Sequence, residues 1–187
     1  MDTENSLSKD LIRYQFKVAE RWFERGQSSS DKFAKFFFYF SGFNALYFLW
    51  GIIGKKSHER EYKIIEYFLR RFGSRKAEEI LKILYENAIY FMNRGPIQSM
   101  RERNSENPLE GSPKYGEVWK KILKEGTNSV DRLVALGEIL YLVRSNLVHG
   151  SKTQSGDDEV LIDKSILPLE VLLKESILMT KNSYPWI

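Results

Sequence analysis

The chain has 187 residues, carries 29 basic against 25 acidic side chains for a net charge of +4, and contains no cysteine. That length is ordinary for one domain and suffices to bury roughly 70% of the unfolded surface. Disulfides, zinc–thiolate sites and thiol catalysis are excluded, and two histidines, His58 and His149, exclude a multi-histidine metal site within one chain.

The small charge excess permits a local basic groove and not a nucleic-acid coat. The opening Met1-Asp2-Thr3-Glu4-Asn5 is acidic and polar, unlike a signal peptide, and a cysteine-free composition fits a reducing interior. A cytoplasmic protein is expected. Nearly every apolar segment has helical spacing, and strand alternation is missing. The expectation is an all-α, compact multi-helix bundle forming one domain over 1–187.

In chain order, Leu11, Tyr14, Val18 and Trp22 recur every three or four residues, predicting a helix from Ser8 to Arg25 that Gly26 stops. Ser28 to Asp31 has capping-box spacing and opens a second helix ending near Gly51. Its stretch Phe36 to Ile53 is uncharged for 18 residues, the lower length for a membrane span. Its Tyr, Ser, Gly and Asn content favours a buried central helix, so no membrane partner is expected. A third helix is capped by Ser57, buries Ile64, Ile65, Phe68 and Phe72, and ends at Gly73. A fourth starts after Ser74, carries Ile80, Leu81, Leu84 and Ala88, and ends at Gly95-Pro96.

Gly95 to Pro113 holds three of the five prolines and reads as a long exposed loop. A short helix follows at Tyr115–Lys124. Between Arg94 and Lys124 stand seven basic side chains against four acidic ones, with Tyr115 and Trp119 as stacking surfaces. Arg101, Arg103, Lys120 and Lys121 are therefore candidate RNA contacts, against the reading of a solvated face. Next, Asn128 with Asp131 caps a helix whose stripe is Leu133, Leu136, Leu140, Val143 and Leu147. A polar loop spans Gly150 to Asp158. A final helix covers Ser165 to Thr180, with Pro168 in its first turn.

The chemistry concentrates at Arg144-Ser145-Asn146-Leu147-Val148-His149, followed by Gly150 and Lys152. Arg keeps its charge and can neutralise a phosphate, and His moves a proton near neutral pH. Five positions turn a helix by about 500°, so Arg144 and His149 lie about 140° apart on an ideal cylinder. They meet only through the long Arg side chain, through a helix end at Gly150, or through a second copy of the motif across a two-fold axis.

An Arg, four intervening residues and a His late in the chain resemble the Arg-x4-6-His signature of the HEPN superfamily. These are small all-helical domains found in prokaryotic toxins, CRISPR-associated ribonucleases and other RNA-processing proteins. Phe43-Asn44-Ala45-Leu46-Tyr47, preceded by Phe33 and Phe37, resembles a helix of many such domains, and the likeness spans about Ala19 to Leu178. It implies a metal-independent endoribonuclease, needing no cofactor, in which the ribose 2′-hydroxyl attacks the adjacent phosphate. His149 would be the general acid or base, Arg144 would stabilise the phosphorane charge, and Asn146 would orient either group. Lys152 would add to the RNA contacts. The resemblance further implies a homodimer, an RNA substrate, an antitoxin or other protein partner, and a place in toxin–antitoxin systems or antiviral defence. One departure is Ser151, where the nucleotidyltransferase-paired toxin branch commonly has Tyr.

Other readings stay open. A His at a helix C-terminus often only compensates the dipole, and Arg144 can be a solvated helix-end cation. Asn44 reads as a core polar residue bonded to nearby backbone. The alternative function is a non-catalytic HEPN-like module binding nucleotide, RNA or protein, or a purely structural helical domain. His58 reads as an exposed first-turn residue, and Asp157-Asp158-Glu159 as a solvated turn. Gly150-Ser151-Lys152-Thr153 lacks the glycines and the strand-to-helix setting of a phosphate loop.

Overall fold

The computed structural model of the chain describes residues 2–94, 126–148 and 157–187, with side chains from Lys9 and, in the last stretch, from Asp158. In order, the helices are α1 (Asp2–Ser28), α2 (Lys32–Ile53), α3 (Glu61–Leu69), a 3-10 turn at Arg70–Phe72, α4 (Gly73–Ile83), α5 (Tyr85–Arg94), α6 (Ser129–Val148) and α7 (Asp157–Ser183). Among the described residues there is no strand, and the protein is an all-α bundle. The expected loop at 95–113 and the short helix at Tyr115–Lys124 lie outside the described residues.

Helix α2 is the centre. Asp31 caps it by accepting a 2.6 Å hydrogen bond from the Ala34 amide, so the cap is Asp31 alone. Ser28 instead bonds back to Glu24 at the end of α1. By length and composition α2 could cross a membrane, yet most of its apolar window is buried inside the bundle. It packs between α1 and α7, and α3 and α4 carry α6 against the other side. Phe36, Phe40, Phe43 and Leu46 share one core with Leu136, Leu140 and Val143, as the helical spacing predicts. Phe37, in the same aromatic run, stands 45% exposed, and a run without a polar face does not mark in the sequence which side turns outward.

Three other expectations are corrected. Gly26 does not stop α1, which runs on to Ser28. It is buried, and a Cβ there would come within 2.3 Å of the Tyr39 ring, so the glycine serves close packing of α1 on α2. The expected fourth helix is two, broken at Leu84, whose φ of −96° and ψ of 14° leave the helical region. Pro168 sits deep inside α7, not in its first turn, because the helix begins at Asp157. An interior proline removes the amide that would bond the carbonyl four residues back. That carbonyl belongs to Lys164, and it accepts a 2.8 Å bond from Asn87 Nδ2 of α5.

Candidate functional site

The motif helix is pinned at its start. Asn128 Oδ1 accepts from the Asp131 amide at 2.9 Å, Arg70 Nη1 lies 2.9 Å from Asp131, and Ser129 Oγ donates to the Ser74 carbonyl at 2.8 Å. Midway, Gly137 lets α3 approach so closely that a Cβ would lie 2.3 Å from Leu69. Helix α6 therefore has a firm rotational setting when it reaches Val143, which is fully buried. One residue later, about 100° further round, Arg144 leaves the core. Its side chain is 30% exposed, and its guanidinium carbon lies 5.5 Å from the centroid of Phe40.

Behind Arg144 stands a small polar network. Glu61 opens α3, where a carboxylate complements the helix dipole. Its Oε1 accepts a short hydrogen bond from the buried Tyr47 hydroxyl and a 3.2 Å bond from Asn44 Nδ2. Asn44 Nδ2 also lies 2.5 Å from the Tyr47 oxygen. A carboxylate accepts and never donates when ionised, so the amide of Asn44 must turn its nitrogen toward Glu61. Burial first, and then the Glu61 charge, push the Tyr47 hydroxyl well above its ordinary range, so the phenol stays protonated and donates. Tyr141, one turn before Arg144, is raised by the same causes. Asn44 thus bonds side chains, not the backbone groups expected for it.

The other oxygen of Glu61, Oε2, faces Arg144 Nη1 at 3.9 Å. That is ion-pair distance but too long for a hydrogen bond. The guanidinium is held in place while its donors remain available to an incoming anion. It borders a groove of about 390 Å³ between α1 and α2, where Gln15 and Trp22 face Phe37, Ser41 and Asn44. An anchored cation at the mouth of an aromatic groove suits a phosphate-bearing ligand.

The remaining expected residues fall elsewhere. Asn146 is 2% exposed, turned into the bundle about 200° round the helix from Arg144, and does not reach the groove. His58 is exposed in the turn before α3. His149, Lys152, Arg101, Arg103, Lys120 and Lys121 lie outside the described residues, as do Gly150 and Ser151. Among the described residues no three carboxylates or histidines converge as metal ligands. Sequence reasoning missed Glu61 and Tyr47. The spacing of Asn44 and Tyr47, three apart on one helix face, was the available signal for the second.

Comparisons of the chain with protein-family models, with curated proteins and with solved structures give no match. The meaning of the site rests on its own chemistry.

Proposed function

We propose that the protein is a metal-independent endoribonuclease of the HEPN type, acting as a homodimer on RNA in the cytoplasm, in toxin–antitoxin or antiviral defence. The observation that carries this is the setting of Arg144. On a helix whose apolar side lies in the core, it stands at a groove mouth, oriented by Glu61 and free to bond a phosphate.

In the proposed reaction the ribose 2′-hydroxyl attacks the adjacent phosphorus, the P–O5′ bond breaks, and a 2′,3′-cyclic phosphate and a 5′-hydroxyl result. His149 takes the 2′ proton or supplies the 5′ one, and Arg144 neutralises the charge gathered on the phosphorane oxygens. Asn146, buried, acts through the seating of the helix end and not at the RNA. A second copy supplies the complementary motif, since Arg144 and His149 are poorly phased on one helix. Apolar side chains exposed on α2 and α6, namely Phe48, Ile52 and Val148, support a contact between copies there. Lys152, Arg101, Arg103, Lys120 and Lys121 extend the RNA contacts, and an antitoxin-like protein would cover the same face.

The non-catalytic binding module is the second reading, favoured by one observation: Glu61 already balances the charge of Arg144. Incubating the purified protein with single-stranded RNA in EDTA separates the two. Cleavage to 2′,3′-cyclic ends that His149→Ala abolishes supports the nuclease. Intact RNA, with an activating partner also supplied, leaves the binding module.

A further inference from the structure

The groove beside Arg144 holds more than a cation. Phe37, on α2, is 45% exposed and has no ring partner among the described residues. Its neighbour across the groove differs. Trp22 is already stacked on Phe38, with centroids 5.4 Å apart and planes 25° apart, and Arg25 lies 5.1 Å from its ring. The groove therefore offers one unoccupied aromatic face. It also offers unspent polar groups, because the side chains of Gln15 and Ser41 make no hydrogen bond to any described residue. Asn44 spends both hydrogens of Nδ2 on Tyr47 and Glu61, which leaves Oδ1 as its only contribution to the groove.

A free π face, a locked acceptor, an amide of either polarity and a guanidinium within about 390 Å³ match the parts of one nucleotide. We infer that the α1–α2 groove is a nucleobase pocket that seats one base of single-stranded RNA on Phe37, its phosphate turned toward Arg144, and prefers a base with an exocyclic amine. The preference follows from Asn44. Its orientation is fixed from behind by Glu61, so it can accept but not donate into the groove. Cytosine presents an amine donor where uracil presents a carbonyl, and two facing acceptors repel. Gln15 can rotate its amide and adds affinity without discrimination.

The inference rests on the RNA reading above but is tested apart from cleavage. Short 2′-O-methyl oligocytidylate and oligouridylate, which lack the attacking hydroxyl, serve as probes, with binding followed by fluorescence anisotropy on the full chain. Wild-type protein is expected to bind oligocytidylate several-fold more tightly. Phe37→Ala removes the stacking face and should weaken binding about tenfold, about 1.4 kcal/mol. Phe37→Trp should restore binding, whereas Phe37→Leu, apolar but without a π face, should not. Phe37 is exposed, so these variants fold.

Unchanged affinity in Phe37→Ala overturns the pocket, and equal affinity for the two oligonucleotides overturns the role of Asn44. A Phe37→Ala protein that falls from dimer to monomer in light scattering shows that a second copy fills the groove, and also overturns it. Groove-dependent binding without cleavage of ordinary RNA sinks the nuclease reading alone. Cleavage insensitive to Phe37 sinks the pocket alone.

Discussion

Asn87 supplies from α5 the hydrogen bond that Pro168 denies to its own helix. Its Nδ2 sits 2.8 Å from the Lys164 carbonyl, the acceptor that the proline leaves without an amide. Removing that donor leaves a carbonyl unsatisfied beside the core. Asn87→Ala should therefore destabilise the fold by about 1–3 kcal/mol in urea titrations. In a Pro168→Ala background the helix regains its own amide, and the cost should shrink. An equal cost in both backgrounds would refute the compensation.

Gly26 gives a test whose sign differs between two readings. At an ordinary helix position Gly→Ala stabilises by about 1 kcal/mol. Here the added methyl meets the Tyr39 ring at 2.3 Å, so Gly26→Ala should instead cost about 1–3 kcal/mol. Thermal melts decide it.

Alkaline stability should report the buried phenols. Burial, aided by Glu170, pushes the Tyr39 hydroxyl up to about 12, and the Tyr47 hydroxyl is raised further by burial and Glu61. The unfolded chain loses these protons near pH 10 while the folded chain keeps them. The stability they lend is thus fully present below about pH 10 and declines as pH rises beyond it. Tyr47→Phe should make this alkaline decline shallower by about one proton in denaturant titrations run from neutral pH upward. An unchanged slope would mean that Tyr47 ionises in the fold as readily as in water.

Arg144 and Glu61 should divide kinetic effects. Arg144→Lys keeps the charge but loses the planar fork, so RNA cleavage should fall by one to two orders of magnitude, about 1.4 kcal/mol for each tenfold. Glu61→Gln keeps an acceptor for Tyr47 and removes the charge opposite Arg144. It should lower KM for RNA while also lowering kcat, because the guanidinium binds more readily but is held less firmly. A fall in kcat with KM unchanged or raised would make Glu61 a purely structural residue.

A second copy is needed for the proposed cleft, so light scattering at rising concentration should show a dimer. Replacing Phe48 and Ile52 with Lys should break it and abolish cleavage together. Full activity in a strictly monomeric particle would remove the two-fold site.

How much of this was legible beforehand varied by residue for physical reasons. The stripe from Leu133 to Val143 announced α6 because its spacing fits one helix face and its cap, Asn128, is local. Arg144 was visible as a chemical type. The side that Phe37 takes was not legible because α2 is apolar on every side, so the periodicity that sorts inside from outside is flat there. Gly26 and Pro168 misled because their usual meanings are local, whereas their roles depend on Tyr39 and on Asn87 of another helix. Glu61 gave no warning, since only folding brings α3, α2 and α6 to one point.

The 3.9 Å approach of Glu61 to Arg144 also governs the idle protein. A lone cation at a groove would gather any polyanion in its surroundings. With a carboxylate opposite, part of that field is cancelled although the donors of Arg144 stay open, so a lone anion gains less by approaching. On the reading proposed above, a polymer that also seats a base in the groove would add a second contact that a lone anion lacks. Selectivity would then arise from a weakened attraction for simple anions as much as from the contacts made with the right ligand.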